Sequence, residues 1–191
     1  DHENWATMIR GDWTIEFWFK GGVDTSTDSL TMFQCVKEES SDWQGLDIYM
    51  KGNTGVITAA FYTDSASTQS AWGVSSSHGS VNYNDGEWHH FVFSVDRKGT
   101  IHGGGVKQAI MVIDGICKDI VTSSAEASIG GSLTAWAGAG IFIGGGDNDF
   151  DTGDFTNRQS FTGFIDDAKI YSEALTALKS DGSLVEEGDT L

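Results

Sequence analysis

The sequence predicts an all-β fold: two antiparallel sheets stacked as a sandwich, with one short helix near the C-terminus. Three observations carry this. Asp85-Gly-Glu opens on a turn signal and runs into Trp88-His-His-Phe-Val-Phe-Ser-Val95, which is apolar enough to be covered on both faces, as an inner strand of a sandwich must be. Trp13-Thr-Ile-Glu-Phe-Trp-Phe-Lys20 alternates with the period of a strand. The 25 glycines, the absence of proline and the abundance of Ser, Thr and Asp between short apolar runs indicate many strands joined by turns.

Taken in order, residues 1–11 are polar apart from Trp5 and Met8-Ile9 and give at most a short edge strand. In the next strand Trp13, Ile15, Phe17 and Phe19 face one way and Thr14, Glu16, Trp18 and Lys20 the other. Leu30 to Val36 is a further strand, followed by a charged turn from Lys37 to Asp42. Leu46 to Lys51 and Val56 to Tyr62 form a hairpin through Gly52-Asn-Thr-Gly55. Residues 63–84 read as a long loop or weak edge strand. Asp114-Gly115, between Ala109-Ile-Met-Val-Ile113 and Ile116 to Val121, is a two-residue hairpin signal. Phe161 to Tyr171 is the last strand; its apolar side continues through Ala168 and Ile170 only if a bulge stands at Asp166-Asp167. Ser172 is placed to cap a helix from Glu173 to Ser180 that Gly182 ends. One domain is expected over 1–182, with 183–191 a tail or linker.

At 191 residues the chain is long enough to bury roughly 70% of its unfolded surface without help from disulfide or metal. The net charge of −17 speaks against nucleic acid and anionic membrane surfaces, which need Lys and Arg. No run of 18 apolar residues is present, so membrane insertion is not expected, and the chain reads as a mature or excised segment. Cys35 and Cys117 are either two buried thiols or a bridge, which by loop entropy would stabilise by about 4 kcal/mol.

Five segments carry a family likeness: Trp13 to Lys20, Asp85-Gly-Glu-Trp-His-His90, Val112-Ile-Asp-Gly115, Ile143-Gly-Gly145 and Gly163-Phe-Ile-Asp-Asp-Ala-Lys-Ile-Tyr171. Together they resemble, in order, the landmarks of laminin G-like jelly rolls of the concanavalin A-like lectin and glucanase group. The resemblance runs from Trp13 to about Leu178 and implies a jelly-roll sandwich, with calcium often held at its rim. It also implies a longer opening strand than residues 1–11 supply, so a neighbouring domain or another subunit is a candidate to complete that edge. The group includes sugar-binding modules, adhesion domains, pentraxins and glucanases, so function has to come from sites.

The glucanases are similar in carrying Glu-x-Asp-x-x-Glu on one strand face, which is absent here; Asp47 and Asp96 have no second carboxylate at the needed spacing. No nucleophile setting such as Gly-x-Ser-x-Gly occurs, and no enzyme is expected. His89 and His90 project to opposite faces, and a packed, hydrogen-bonded histidine is simpler than a zinc site. Asp147-Asn-Asp-Phe-Asp-Thr-Gly-Asp154 brings Asp147, Asp149, Asp151 and Asp154 close enough to share a calcium ion, with Asp166 or Asp167 contributing from the next strand. Against this, the glycine comes one position late and Arg158 stands where a closing Glu would, so a solvated acidic loop is the alternative.

Of the seven tryptophans, Trp13, Trp18 and Trp88 fall in strands and read as core. Trp43, Trp72 and Trp136, with Tyr83, lie among Ser, Gly, Gln and Asn, where a ring either caps the core or serves as a platform for a sugar face. The expectation is therefore a non-catalytic, calcium-associated module binding a glycan or polysaccharide, part of a larger secreted or surface protein. It is placed outside the cell, on a cell surface or on a virion. The alternative is a structural or adhesive module whose contacts are other protein subunits.

Overall fold

Alternation along Trp13–Gly21 (β1) does what its pattern requires: Trp13, Ile15, Phe17 and Phe19 are buried between two sheets, and Glu16, Trp18 and Lys20 face outward. The computed structural model describes residues 11–39, 42–62, 72–76, 81–99, 107–123, 141–145, 158–175 and 186–191. The other strands are Ser29–Glu39 (β2), Asp42–Lys51 (β3), Ile57–Tyr62 (β4), Trp72–Ser75 (β5), Trp88–Asp96 (β6), Lys107–Ile113 (β7), Ile116–Ser123 (β8), Phe142–Ile143 (β9), Arg158–Ser160 (β10) and Gly163–Tyr171 (β11). Among the described residues these make a five-stranded sheet in the order β11-β1-β6-β7-β8 and a six-stranded sheet in the order β10-β2-β3-β4-β5, with β9 also on β2.

The core is the meeting of the two inner faces. Phe17 stacks on Phe91 at 4.8 Å between centroids, and Trp13 meets Phe93 edge-on at 5.5 Å. From the second sheet come Leu30, Met32, Cys35, Leu46, Ile48, Met50 and Ile57, all fully buried. Burying this many large side chains in one contiguous cluster is the main force holding the sheets together.

The two hairpins form where expected. Asp114 and Gly115 both take positive φ, 54° and 74°, the left-handed pair that a tight two-residue turn between twisted strands demands. Gly55, at φ 64°, closes the β3–β4 turn. The bulge in β11 is also present: Glu16 lies opposite Lys169 but Trp18 opposite Asp166, and Asp167 takes φ 51°. That step keeps Ile165 and Ile170 both against the core.

Several expectations are corrected. The charged stretch 37–42 is mostly strand, with Glu39 paired to Asp42, because a hairpin ladder can continue beyond the core once backbone partners are in place. The pairing is not wholly antiparallel: β10 runs parallel to β2 for three residues, satisfying an edge that would otherwise be open. Glu173, Ala174 and Leu175 are not helical, and 176–180, the rest of the expected helix, lie outside the described residues. The Leu175 amide donates to the hydroxyls of Ser94 (2.6 Å) and Thr14 (3.1 Å), a role expected of a Ser172 cap. The tail is tied down at its end: Cys117 N donates to Asp189 O, Gly188 N to Cys117 O and Leu191 N to Gly115 O. Both cysteines are buried, Cys35 between the sheets and Cys117 among Val92, Ile110 and Val112 on the outer face of the first sheet, and no disulfide joins them. No helix among the described residues is long and apolar enough to cross a membrane.

Candidate ligand-binding face

The outer face of β11, β1 and β6 is ordered in rows by its strand register. Phe164, Lys20 and Trp88 form the first row, Asp166, Trp18 and His90 the second, Lys169, Glu16 and Val92 the third, and Tyr171, Thr14 and Ser94 the fourth. The first two rows are open: Trp18 is 42% exposed, Trp88 45% and Phe164 65%. The Trp18 and His90 rings lie 4.9 Å apart and those of Trp88 and Phe164 6.4 Å, so the four make a shallow aromatic surface with Lys20 and Asp166 among them. On an otherwise acidic chain this patch is the candidate contact surface.

Glu16 is the centre of the next two rows. Its Oε1 accepts from the Tyr171 hydroxyl at 2.7 Å and from Lys169 Nζ at 3.4 Å, while His90 Nε2 stands 3.8 Å from Oε2. The Lys169 ammonium also pairs with Asp167 at 2.5 Å, and that bond, followed by the one to Glu16, holds its pKa above the usual value. The hydrogen bond to Glu16 likewise raises the Tyr171 phenol. Beside this network a pocket of about 360 Å³ is lined by Thr14, Glu16, Tyr171, Glu173, Ala174 and Leu175.

Under the aromatic rows the fold is stiffened by polar groups. His89, buried on the inner face, touches Asp114 through Nδ1 at 2.8 Å and Asp85 through Nε2 at 3.0 Å. Burial pushes its pKa down, but the hydrogen bonds and charges of Asp114 and Asp85 together outweigh burial and hold it above the ordinary value. For Asp85, burial acts upward and is outweighed by the Glu87 amide and by His89, leaving it lowered. Asn84 ties three segments, donating to Asp24 O and Gly52 O and accepting from Val23 N.

The profile of a laminin G-like family, described as the concanavalin A-like lectin/glucanases superfamily, matches residues 2–179. The chain belongs to this superfamily. Among solved structures, the CBM40 of a Ruminococcus gnavus IT-sialidase is similar at 14% identity and TM-score 0.57, over 92% of this chain and 82% of that one. The binding domain of botulinum neurotoxin serotype C1 gives 13% and 0.57, over 92% of this chain but only 36% of its own. A heptameric SAP-like pentraxin from Limulus polyphemus gives 15% and 0.51, over 94% and 75%. Likenesses this remote establish a shared fold. No curated protein sequence matches the chain.

Against this superfamily fold the sequence-predicted site residues can be placed one by one. Tyr83 is not an open platform: at 2% exposure it packs edge-on against His89 at 5.2 Å, with Lys118 Nζ 5.7 Å from its ring. The strand that follows it draws the ring into the core, and burial raises its phenol pKa. Trp43 lies in β3 opposite Glu38, and Trp72 opens β5 opposite Phe61. Their side chains, Trp136 and the carboxylates Asp147, Asp149, Asp151 and Asp154 lie outside the described residues. Asp166 and Asp167 are exposed; Asp166 accepts from the Asp167 amide at 2.8 Å, and Asp167 is engaged by Lys169. Among the described residues no group of three His, Cys, Asp or Glu is gathered for a metal.

Two tryptophans expected in the core, Trp18 and Trp88, open to solvent, while Trp13 is buried. The signal for Trp18 was its company: it alternates in phase with Glu16 and Lys20, a set no core accepts. Trp88 has the same parity as His90 and sits at the strand end beside the Asp85-Gly86 turn, where cover is thin.

Proposed function

We propose that the chain is a non-catalytic carbohydrate-binding module of a larger secreted or surface protein, and that the aromatic rows of β11, β1 and β6 are its sugar platform. The observation that carries this is the pair of open indole rings, Trp18 and Trp88, on the same outer face as a pocket whose wall presents Glu16 and Tyr171. A pyranose has an apolar face of C–H groups and a rim of hydroxyls. Open aromatic rings suit the first, and a few fixed polar groups suit the second. The fold neighbours support the reading: the Ruminococcus gnavus IT-sialidase CBM40 structures include complexes with α2,3 and α2,6 sialyllactose, and a botulinum neurotoxin DC binding domain is in complex with SialylT. Trp43, Trp72 and Trp136 remain candidates for a second sugar platform.

Calcium belongs to the proposal as an ion held by Asp147, Asp149, Asp151 and Asp154. Asp166 is the readier assistant of the pair, because the Asp167 carboxylate already holds Lys169. An ion bound only by the folded chain must raise its melting midpoint, so added calcium is expected to raise it and chelator to reverse the rise; an unchanged midpoint removes the ion from the reading.

A second reading is an adhesive or structural module. Ile141, Phe142 and Ile143, all substantially exposed at the β2 edge, favour a protein partner there. A glycan array with and without calcium, run on wild type and on Trp18→Ala/Trp88→Ala, separates the two. Glycan binding that the double variant loses is expected. No binding in either condition, with concentration-dependent oligomers in solution, overturns the first reading in favour of the second.

A further inference from the structure

We infer that the pocket beside Glu16 takes a non-acidic sugar, one that presents hydroxyl donors, and that an acidic sugar does not anchor the ligand there. This deepens the carbohydrate reading and rests on it. Among the described residues the lining holds two carboxylates, Glu16 and Glu173, and no lysine or arginine. The ammonium nearest by register, Lys169, is engaged by both Asp167 and Glu16. Lys20 lies four residues along β1, about 13 Å away at the rise of a strand, beyond the Trp18 ring.

The hydrogen-bonding inventory points the same way. Thr14 Oγ1 is shared among Ser94 Oγ, Glu173 O and the Leu175 amide, and the Tyr171 hydroxyl is directed to Glu16 Oε1. What the wall leaves open is acceptor capacity: Glu16 Oε2 makes no hydrogen bond among the described residues, and His90 Nε2 stands 3.8 Å from it. An acceptor of this kind suits a sugar hydroxyl, which donates a charge-assisted bond to a carboxylate. A sugar carboxylate brings no donor and meets like charge in a partly desolvated recess, within a chain of net charge −17. The arrangement therefore points away from the acidic ligand found on the similar sialidase modules.

The test is an array of neutral and amino-bearing oligosaccharides printed beside their sialylated or uronate counterparts. It is probed with wild type, Glu16→Gln and Trp18→Ala, each first shown to be folded by its melting midpoint. Wild type is expected to prefer the non-acidic member of each pair tenfold or more. Glu16→Gln is expected to narrow that ratio, and added salt to narrow it for wild type, since screening weakens repulsion but not a steric clash. Equal or tighter binding of the acidic members by wild type overturns the inference, as does a ratio indifferent to both Glu16→Gln and salt. Binding that survives Trp18→Ala intact places the glycan elsewhere and also overturns it. Absence of all glycan binding defeats the carbohydrate reading itself, which is a different result.

Discussion

Trp13 and Trp18 stand on one strand five residues apart, one 1% exposed and the other 42%. The same contrast runs through β6, where Phe91 and Phe93 are buried and Trp88 is open. Residue type does not separate the two sets. Parity does, together with what shares each face. Inward positions meet a second sheet of Leu, Ile and Met, so every ring atom finds a packed neighbour. Among the described residues, outward positions at the Lys20 end lie beside adjacent side chains of their own sheet, with Glu16, Lys20 and Asp166 interspersed. The aromatic rings of the outer rows therefore contribute little to the packing between the sheets, whereas those of the inner rows are the core.

The sharpest way to break that contrast is to truncate one ring on each side. Phe91→Ala removes a ring stacked on Phe17 and leaves a cavity, so a loss of about 3–5 kcal/mol in urea unfolding is expected. Trp18→Ala, and Trp88→Ala with it, should stay within about 0.5 kcal/mol of wild type while weakening glycan binding about thirtyfold, the scale of an aromatic anchor in an interface. Comparable stability losses on the two sides would erase the distinction.

How much of this the sequence disclosed follows from the same parity argument. Alternation in β1 and the Asp114-Gly115 turn are local signals with one physical cause each, and both were legible. So was the bulge at Asp166-Asp167, because an apolar set that changes parity within one strand needs an extra residue. The exposure of Trp18 was written in its phase with Glu16 and Lys20, but a strong bias toward burying tryptophan conceals it. Tyr83 failed in the opposite direction: its polar sequence neighbours suggested a rim, yet Asn82, Asn84 and Asp85 turn to backbone and His89 while its ring goes inward. The parallel pairing of β10 with β2 joins residues more than a hundred positions apart, which no local pattern encodes.

His89 is a polar residue on the inner face, and its effect on stability should be smaller than that of Phe91 and dependent on pH. Its folded pKa is raised, so the stabilisation is fully present below the unfolded value, near 6.5, and is lost as pH rises through the folded pKa. The lowered Asp85 acts in the opposite sense: its share is present above the ordinary carboxylate value and is lost as pH falls through the folded pKa. The clamp is thus strongest in mildly acidic solution. Urea midpoints measured from pH 5 to 9 should fall with rising pH in wild type and flatten in His89→Gln. A variant that keeps the wild-type slope would show that the Asp85–His89–Asp114 clamp does not titrate with folding.

The smallest expected effect concerns the covered end of the outer face. Cys117 lies there among Val92, Ile110 and Val112, and burial, with Asp119 next in effect, pushes its thiol up to about 11. At pH 8 about one molecule in a thousand then carries the reactive thiolate, and the sulfur is also shielded from reagent. Cys35 is shielded by the core itself. Ellman's reagent should therefore leave the native chain unmodified on a scale of hours and take up two equivalents once urea unfolds it, one for each cysteine. A single equivalent consumed by native protein, mapped to Cys117, would mean that the β7–β8 end of the outer face opens, and the distinction between its covered and open ends would narrow to one of degree. An inert Cys117 beside solvent-accessible Trp18 and Trp88 keeps the covered and open ends of this face distinct.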